Sequence, residues 1–202
     1  MPETNPQQAT ASKREISARA LVVLAVVAVL AYVADRISKI LVVENLTLGQ
    51  PVDVLGNLLQ FHYVENPGAA FSLGSGSTWI FAIIAAVVAV FIIFFARRIR
   101  STGWAVLFGL LLGGNLGNLT DRLTRPPGFG VGHVVDFLQV YGFPAIFNVA
   151  DISIVSSMGL FILLTIRGVG LDGTRTPPKA KTSQPAADDE SASSAQSPTD
   201  PA

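Results

Sequence analysis

Residues 79–96 form one uninterrupted apolar run that starts at Trp79 and ends against Arg97, Arg98 and Arg100. A bilayer's hydrocarbon core, about 30 Å thick, takes roughly 20 helical residues. A run of this length with arginines at one end reads as a membrane span. Residues 147–166 repeat the pattern, broken mainly by Asp151 and closed by Arg167. Residues 20–34 are shorter but continue helically through Asp35 and Lys39 to Val43. Residues 104–119 carry Gly113, Gly114, Asn115, Gly117 and Asn118; small residues let helices approach closely, and polar residues in a span face protein rather than lipid. The reading is four spans.

Composition agrees. Only 14 % of the 202 residues are charged, against about 25 % in ordinary soluble domains, and the charges concentrate at the two ends. That excludes a water-soluble enzyme, a coiled coil and a disordered regulator. The net charge is zero, so no nucleic-acid partner is implied. With no cysteine there is no disulfide, thiolate metal site or thiol nucleophile. The first run, preceded by Lys13, Arg14 and Arg19, also fits a cleaved signal peptide ending at Val29-Leu30-Ala31, but polar residues recur beyond it at helical spacing.

Ten of the fourteen Lys and Arg residues fall on one side of a four-span layout, leaving Arg36, Lys39, Arg122 and Arg125 on the other. By the positive-inside rule both termini are cytoplasmic. The expected division is a cytoplasmic tail over 1–17, a membrane domain over 18–167 and a disordered cytoplasmic tail over 168–202, the last rich in Ser, Pro, Ala and Asp. Two loops, roughly 44–78 and 120–146, face outward. In the first, residues 52–55 and 58–64 flank Gly56-Asn57, a two-residue hairpin signal, and Leu59, Phe61 and Tyr63 alternate with Gln60 and His62. A small outer sheet is expected.

Ionisable groups near a span are costly unless paired or solvated. Asp35 and Lys39 share a helix face, either as a helix-end ion pair or as a brace for a site. Asn118, Asp121 and Arg122 share another, either to hold a loop or to line a site. Asp136 lies in the apolar stretch Val134-Val135-Asp136-Phe137-Leu138, three residues after His133. One histidine with carboxylates and no cysteine is a poor metal set, and no metal or other cofactor is expected. Asp151 follows Asn148 as in a capping box, and an acid suits a helix N-terminus. Capping leaves unexplained why Asp136 is also held in apolar surroundings at the same face. Two close carboxylates in a poorly hydrated site share a proton, leaving one as acid and one as base, which is apparatus for activating water against a carbonyl.

Five motifs then stand in order: Asp35-x-x-x-Lys39, Asn66-x-Gly68-Ala69-Ala70-Phe71, Gly113-Gly114-x-x-Gly117-Asn118-x-x-Asp121-Arg122, Val135-Asp136-Phe137 and Phe147-Asn148-x-Ala150-Asp151. Over about residues 20–167 the chain resembles lipoprotein signal peptidase (signal peptidase II). The resemblance implies an all-α aspartic peptidase of the bacterial plasma membrane, with four transmembrane helices, a small extracytoplasmic β-sheet and a short interfacial helix in the second outer loop. It implies removal of signal peptides from diacylglyceryl-modified prolipoproteins on the N-terminal side of the lipidated Cys. Asp136 and Asp151 match the catalytic dyad. Asn66, Asn118 and Arg122 match positions that contact substrate or peptide-like inhibitors such as globomycin. Asp35, Lys39, Gly68, Asp121 and Asn148 match positions that support the site. Asn115 stands where the family more usually has a small residue. Expected partners are prolipoprotein substrates and membrane lipids, and the expected state is a monomer. The competing classes are an ion-coupled transporter, which would favour midplane polar groups and an inverted repeat, and a non-catalytic assembly factor.

Overall fold

The computed structural model describes residues 17–68 and 78–175. Ala69, Ala70 and Phe71 of the second motif, Lys13, Arg14, Lys179 and Lys181, and most of both expected tails lie outside the described residues. Among the described residues there are four α-helices: α1 (Ala18–Asn45), α2 (Thr78–Phe95), α3 (Thr102–Thr124) and α4 (Val149–Ile166). A 3-10 turn over Ala96–Arg98 follows α2. Between the helices run β1 (Pro51–Asp53), β2 (Leu59–Asn66) and β3 (Val134–Val140), one antiparallel sheet in that order. The described residues are mostly helical. Three helical segments, Ala18–Asn45, Thr78–Arg98 and Val149–Ile166, are long and apolar enough to cross a membrane; α3, richer in Gly and Asn, is not among them.

The helices are built inside out relative to a soluble bundle. Along α1 the buried positions are Ala20, Leu24, Ala28, Ala31, Asp35, Lys39 and Val42, whereas Val22, Val26, Val29, Leu30, Ile37 and Leu41 are exposed. Small and polar groups face protein, and bulky apolar groups face out, as lipid-facing helices require. No break marks the Val29-Leu30-Ala31 sequence; α1 runs through it.

α3 is the central helix. Gly109, Gly113 and Gly117 recur every fourth residue on the face toward α1: a Cβ at Gly109 or Gly113 would strike the Leu24 or Ala28 carbonyl, and one at Gly117 the Asp35 carboxylate. Gly114, turned toward α4, meets the Ala150 carbonyl in the same way. These glycines permit backbone approach that any side chain would prevent. At the start of α3, Trp104 packs into the core and its Nε1 donates to the Val169 carbonyl at 2.9 Å. The Arg100 and Ser101 N–H groups both donate to Leu171 O at 2.9 Å. Residues 168–175, at the head of the expected tail, thus fold back against α3.

The sheet sits over the C-terminal end of α1, where Val42 packs with Tyr63, Val135 and Phe137. Two details differ from expectation. The last β1–β2 pair is Asp53↔Gln60, and both Val54 and Leu55 N–H groups donate to Leu59 O, so the connection is wider than a two-residue turn. The second outer loop contains a strand and turns where the resemblance implies a short helix. Pro126, Pro127, Gly128, Gly130 and Gly132 disfavour a helix before Val134, and the β-branched Val134, Val135 and Val140 suit a strand.

Candidate active site

The register of β2 and β3 sets the first carboxylate. Val64 pairs with Asp136 and Asn66 with Val134, so Asn66 lies diagonally beside Asp136 on one face. The other face of β3 places Val135 and Phe137 against α1. Asn66 Nδ2 donates to Asp136 Oδ2 at 2.9 Å, and the Asn66 Oδ1 accepts from Gly68 N at 3.0 Å. Asp136 is buried, at 3 % exposure.

The second carboxylate arrives on the first turn of α4. The capping box is formed: Asn148 Oδ1 accepts from Asp151 N at 3.0 Å, and Asp151 Oδ2 accepts from Asn148 N at 3.2 Å. Capping occupies one carboxylate oxygen. The other, Oδ1, accepts from Asn118 Nδ2 of α3 at 2.9 Å. Asn148 then connects the pair, since its Nδ2 donates to Asp136 Oδ1 at 2.6 Å and to Asn118 Oδ1 at 3.1 Å.

Asp136 and Asp151 face one cavity of about 620 Å³. Asn66, Gly68, Asn118 and Arg122 line it, with Phe81, Val134, Phe143, Phe147, Ile152 and Val155 forming apolar walls. Burial pushes the Asp136 carboxyl up to about 7; the neighbouring Asp151 charge adds to this, and hydrogen bonds from Asn66 and Asn148 oppose it. Neither carboxylate forms an ion pair among the described residues.

Behind this pair lies a second cluster of opposite character. Lys39 Nζ sits 2.9 Å from Asp35 Oδ2 and 2.8 Å from Asp121 Oδ2, all three fully buried. It also donates to Asn118 Oδ1 at 2.9 Å, coupling the cluster to the cavity. Asp35 Oδ1 accepts from Ala150 N at 3.0 Å and so holds the N-terminus of α4. Asp121 further pairs with Arg36, and with Arg125 Nε at 2.7 Å. The Asp35–Lys39 ion pair is thus present and is tied to both α3 and α4 rather than standing alone at a helix end.

Arg122 Nη2 donates to the Gly68 carbonyl, its guanidinium lies 5.3 Å from the Phe81 ring centre, and its buried Nη1 has no hydrogen-bond partner among the described residues. His133 does not line the cavity, and its Nδ1 lies 3.8 Å from Glu65 Oε2. Among the described residues no group of three His, Asp or Glu side chains is arranged to hold a metal ion.

The structure thus gathers every candidate residue into one connected network. Sequence reasoning did not assign Arg36 and Arg125 to it. Arg125 follows Asp121 by four residues, a signal available from spacing; Arg36 is brought in only by the packing of α1 on α3. The aromatic and aliphatic cavity walls had no signal that separates them from core.

Residues 27–167 match the sequence model of a family described as Signal peptidase (SPase) II. A protein of Leifsonia xyli named lipoprotein signal peptidase is 65 % identical over 168 residues, covering 83 % of this chain and 78 % of that one. Its Streptomyces griseus namesake is 48 % identical, covering 77 % and 79 %, and the Mycobacterium tuberculosis one is 44 % identical, covering 76 % of each. Two solved structures, both described as bacterial membrane enzymes, superpose with TM-scores of 0.67 and 0.65 at 25 % and 26 % identity. They cover 82 % and 76 % of this chain and 98 % and 97 % of their own. With the family's pattern spanning the helices, the sheet and both carboxylates, the chain belongs to the signal peptidase II family of membrane proteases that process bacterial lipoproteins.

Proposed function

We propose that the protein is an aspartic endopeptidase that cuts diacylglyceryl-modified prolipoproteins immediately N-terminal to the lipidated Cys, with Asp136 and Asp151 as the catalytic pair. The observation that carries this is the meeting of two carboxylates from separate elements, β3 and α4, on one largely apolar cavity with no ion-pair partner for either among the described residues. Asp136, with its carboxyl near 7, holds the proton at rest. Asp151 takes a proton from water as its oxygen attacks the scissile carbonyl, and Asp136 gives its proton to the carbonyl oxygen. In the collapse of the tetrahedral intermediate the C–N bond breaks as Asp151 passes its proton to the amine and Asp136 takes a proton back from one hydroxyl, which leaves a carboxylic acid and resets the pair.

Substrate placement follows from the same cavity. The unpartnered Nη1 of Arg122 offers a buried donor for a main-chain carbonyl, and an unmet buried donor is costly unless a ligand supplies its acceptor. Asn66 and Asn118 flank the two carboxylates and complete the substrate contacts; peptide-like inhibitors such as globomycin would occupy the same volume. α3 is the fourth span, its glycines and amides covered by α1, α2 and α4. Both termini are cytoplasmic and the cavity lies near the outer interface, where the scissile bond of a lipid-anchored substrate resides. The unit of function is the monomer.

The test is direct. Purified enzyme in lipid, given a diacylated prolipoprotein with a chelator present, should release the signal peptide, read as a mobility shift and a new N-terminus at the modified Cys. Cleavage of the unmodified precursor alone, or activity that zinc restores after chelation, contradicts the proposal.

A further inference from the structure

Asn115 lies one helical turn from Asn118 on α3, on the side away from the sheet, and it lines the cavity. Its Nδ2 donates to the Ala85 carbonyl, in the middle of α2, at 2.7 Å. Among the described residues only one other hydrogen bond joins α2 to the rest of the chain, from Thr78 Oγ1 to Pro67 O at the start of the helix. Beyond these bonds and the Arg122 guanidinium over the Phe81 ring, α2 is held by apolar packing, with Val87, Val90, Phe91 and Phe94 exposed. A polar side chain at membrane depth carries a desolvation cost that calls for a partner or a role, and cross-helix amide bonds fix helix spacing.

α2 lines the cavity through Phe81, and α4 lines it through Ile152 and Val155. We propose that Asn115 is a specificity-determining positioning residue: its bond to Ala85 latches α2 to α3 and so fixes the width of the cavity between α2 and α4. This rests on the peptidase reading, because the width then decides how tightly the membrane-embedded part of the substrate is held. Asn115 touches neither carboxylate, so the latch acts on binding rather than on the chemical step.

The chain has no cysteine of its own, so spin labels can be placed at will. Labels at Val87→Cys on α2 and Met158→Cys on α4, both exposed and neither lining the cavity, report the gap between the helices. In lipid, the parent protein should give one narrow distance distribution. Asn115→Ala should broaden it toward longer distances and raise KM about three- to tenfold, with kcat changed less than about twofold. Asn115→Gln, which keeps an amide donor, should restore much of both. An unchanged distance distribution in Asn115→Ala, or a loss of kcat at constant KM, overturns the latch. Should the parent protein itself fail to cleave, the peptidase reading falls while the label distances alone still decide the latch.

Discussion

Two pairs of carboxylates occupy the same end of this protein, and the chain treats them in opposite ways. Asp35 and Asp121 are fully buried and surrounded by cations: Lys39 lies between them, and Arg36 and Arg125 close on Asp121. Among the described residues Asp136 and Asp151 receive only amide and backbone donors, from Asn66, Asn118 and Asn148. A neutralised cluster can lock helices together but cannot readily exchange protons. A pair left without counter-ions keeps its proton mobile at neutral pH, at a cost the surrounding fold must offset. The first pair makes α1, α3 and α4 one body; the second is what that body holds in place.

Lys39 is the cation that sets the two pairs apart, and its removal has the largest expected effect. Lys39→Met leaves Asp35 without its cation and Asp121 with only the two arginines. Breaking one side of a buried pair costs about 3–5 kcal/mol, so the variant should unfold far below the parent in a thermal melt in detergent. Adding Asp35→Asn should recover part of that loss, because it removes the charge left behind. A Lys39→Met protein as stable as its parent would erase the distinction between the pairs.

A smaller effect sharpens the other side. Asp136 has its carboxyl at about 7 in the folded protein, against 3.8 for its ordinary value. The folded state therefore binds this proton more tightly than the unfolded one. Stability from this group is complete below about pH 4 and is lost as pH rises toward 7, after which it is flat. The parent should thus lose stability between pH 4 and 7 with a slope that Asp136→Asn makes shallower, measured by melts across that range. An unchanged slope would mean that Asp136 is not the protonated carboxyl.

The sequence exposed different parts of this architecture unequally. α2 and α4 are legible because lipid demands long apolar runs, and α1 because its polar residues keep helical spacing past the run. β3 was hidden. Val135 and Phe137 are buried against α1 while Val134 and Asp136 are buried toward the cavity, so both faces are covered and no two-residue alternation appears. The expected short helix had no support in the residues of the second outer loop, whose prolines and glycines argue against one. Among site residues, Asp136 and Asp151 stood out because ionisable groups in apolar stretches need a reason. Asn148 read as a cap, which it is, but its bridge from one carboxylate to the other depends on three segments meeting. Arg36 and Asp121 are separated by 85 residues, and nothing local pairs them.

If Asp136 and Asp151 act as one unit in cleavage and Asp35 acts through support, substitution separates the two roles. The decisive measurement is the initial rate of diacylated prolipoprotein cleavage per folded enzyme for Asp136→Asn, Asp151→Asn, the double variant and Asp35→Asn. Asparagine keeps the shape and a hydrogen-bonding oxygen, and at position 151 it still suits a helix N-terminus, but it cannot exchange a proton. Each dyad single should fold and lose at least about 10³-fold in rate, the double should be little worse than either, and Asp35→Asn should lose clearly less. Near-normal cleavage by folded Asp136→Asn or Asp151→Asn would contradict the account.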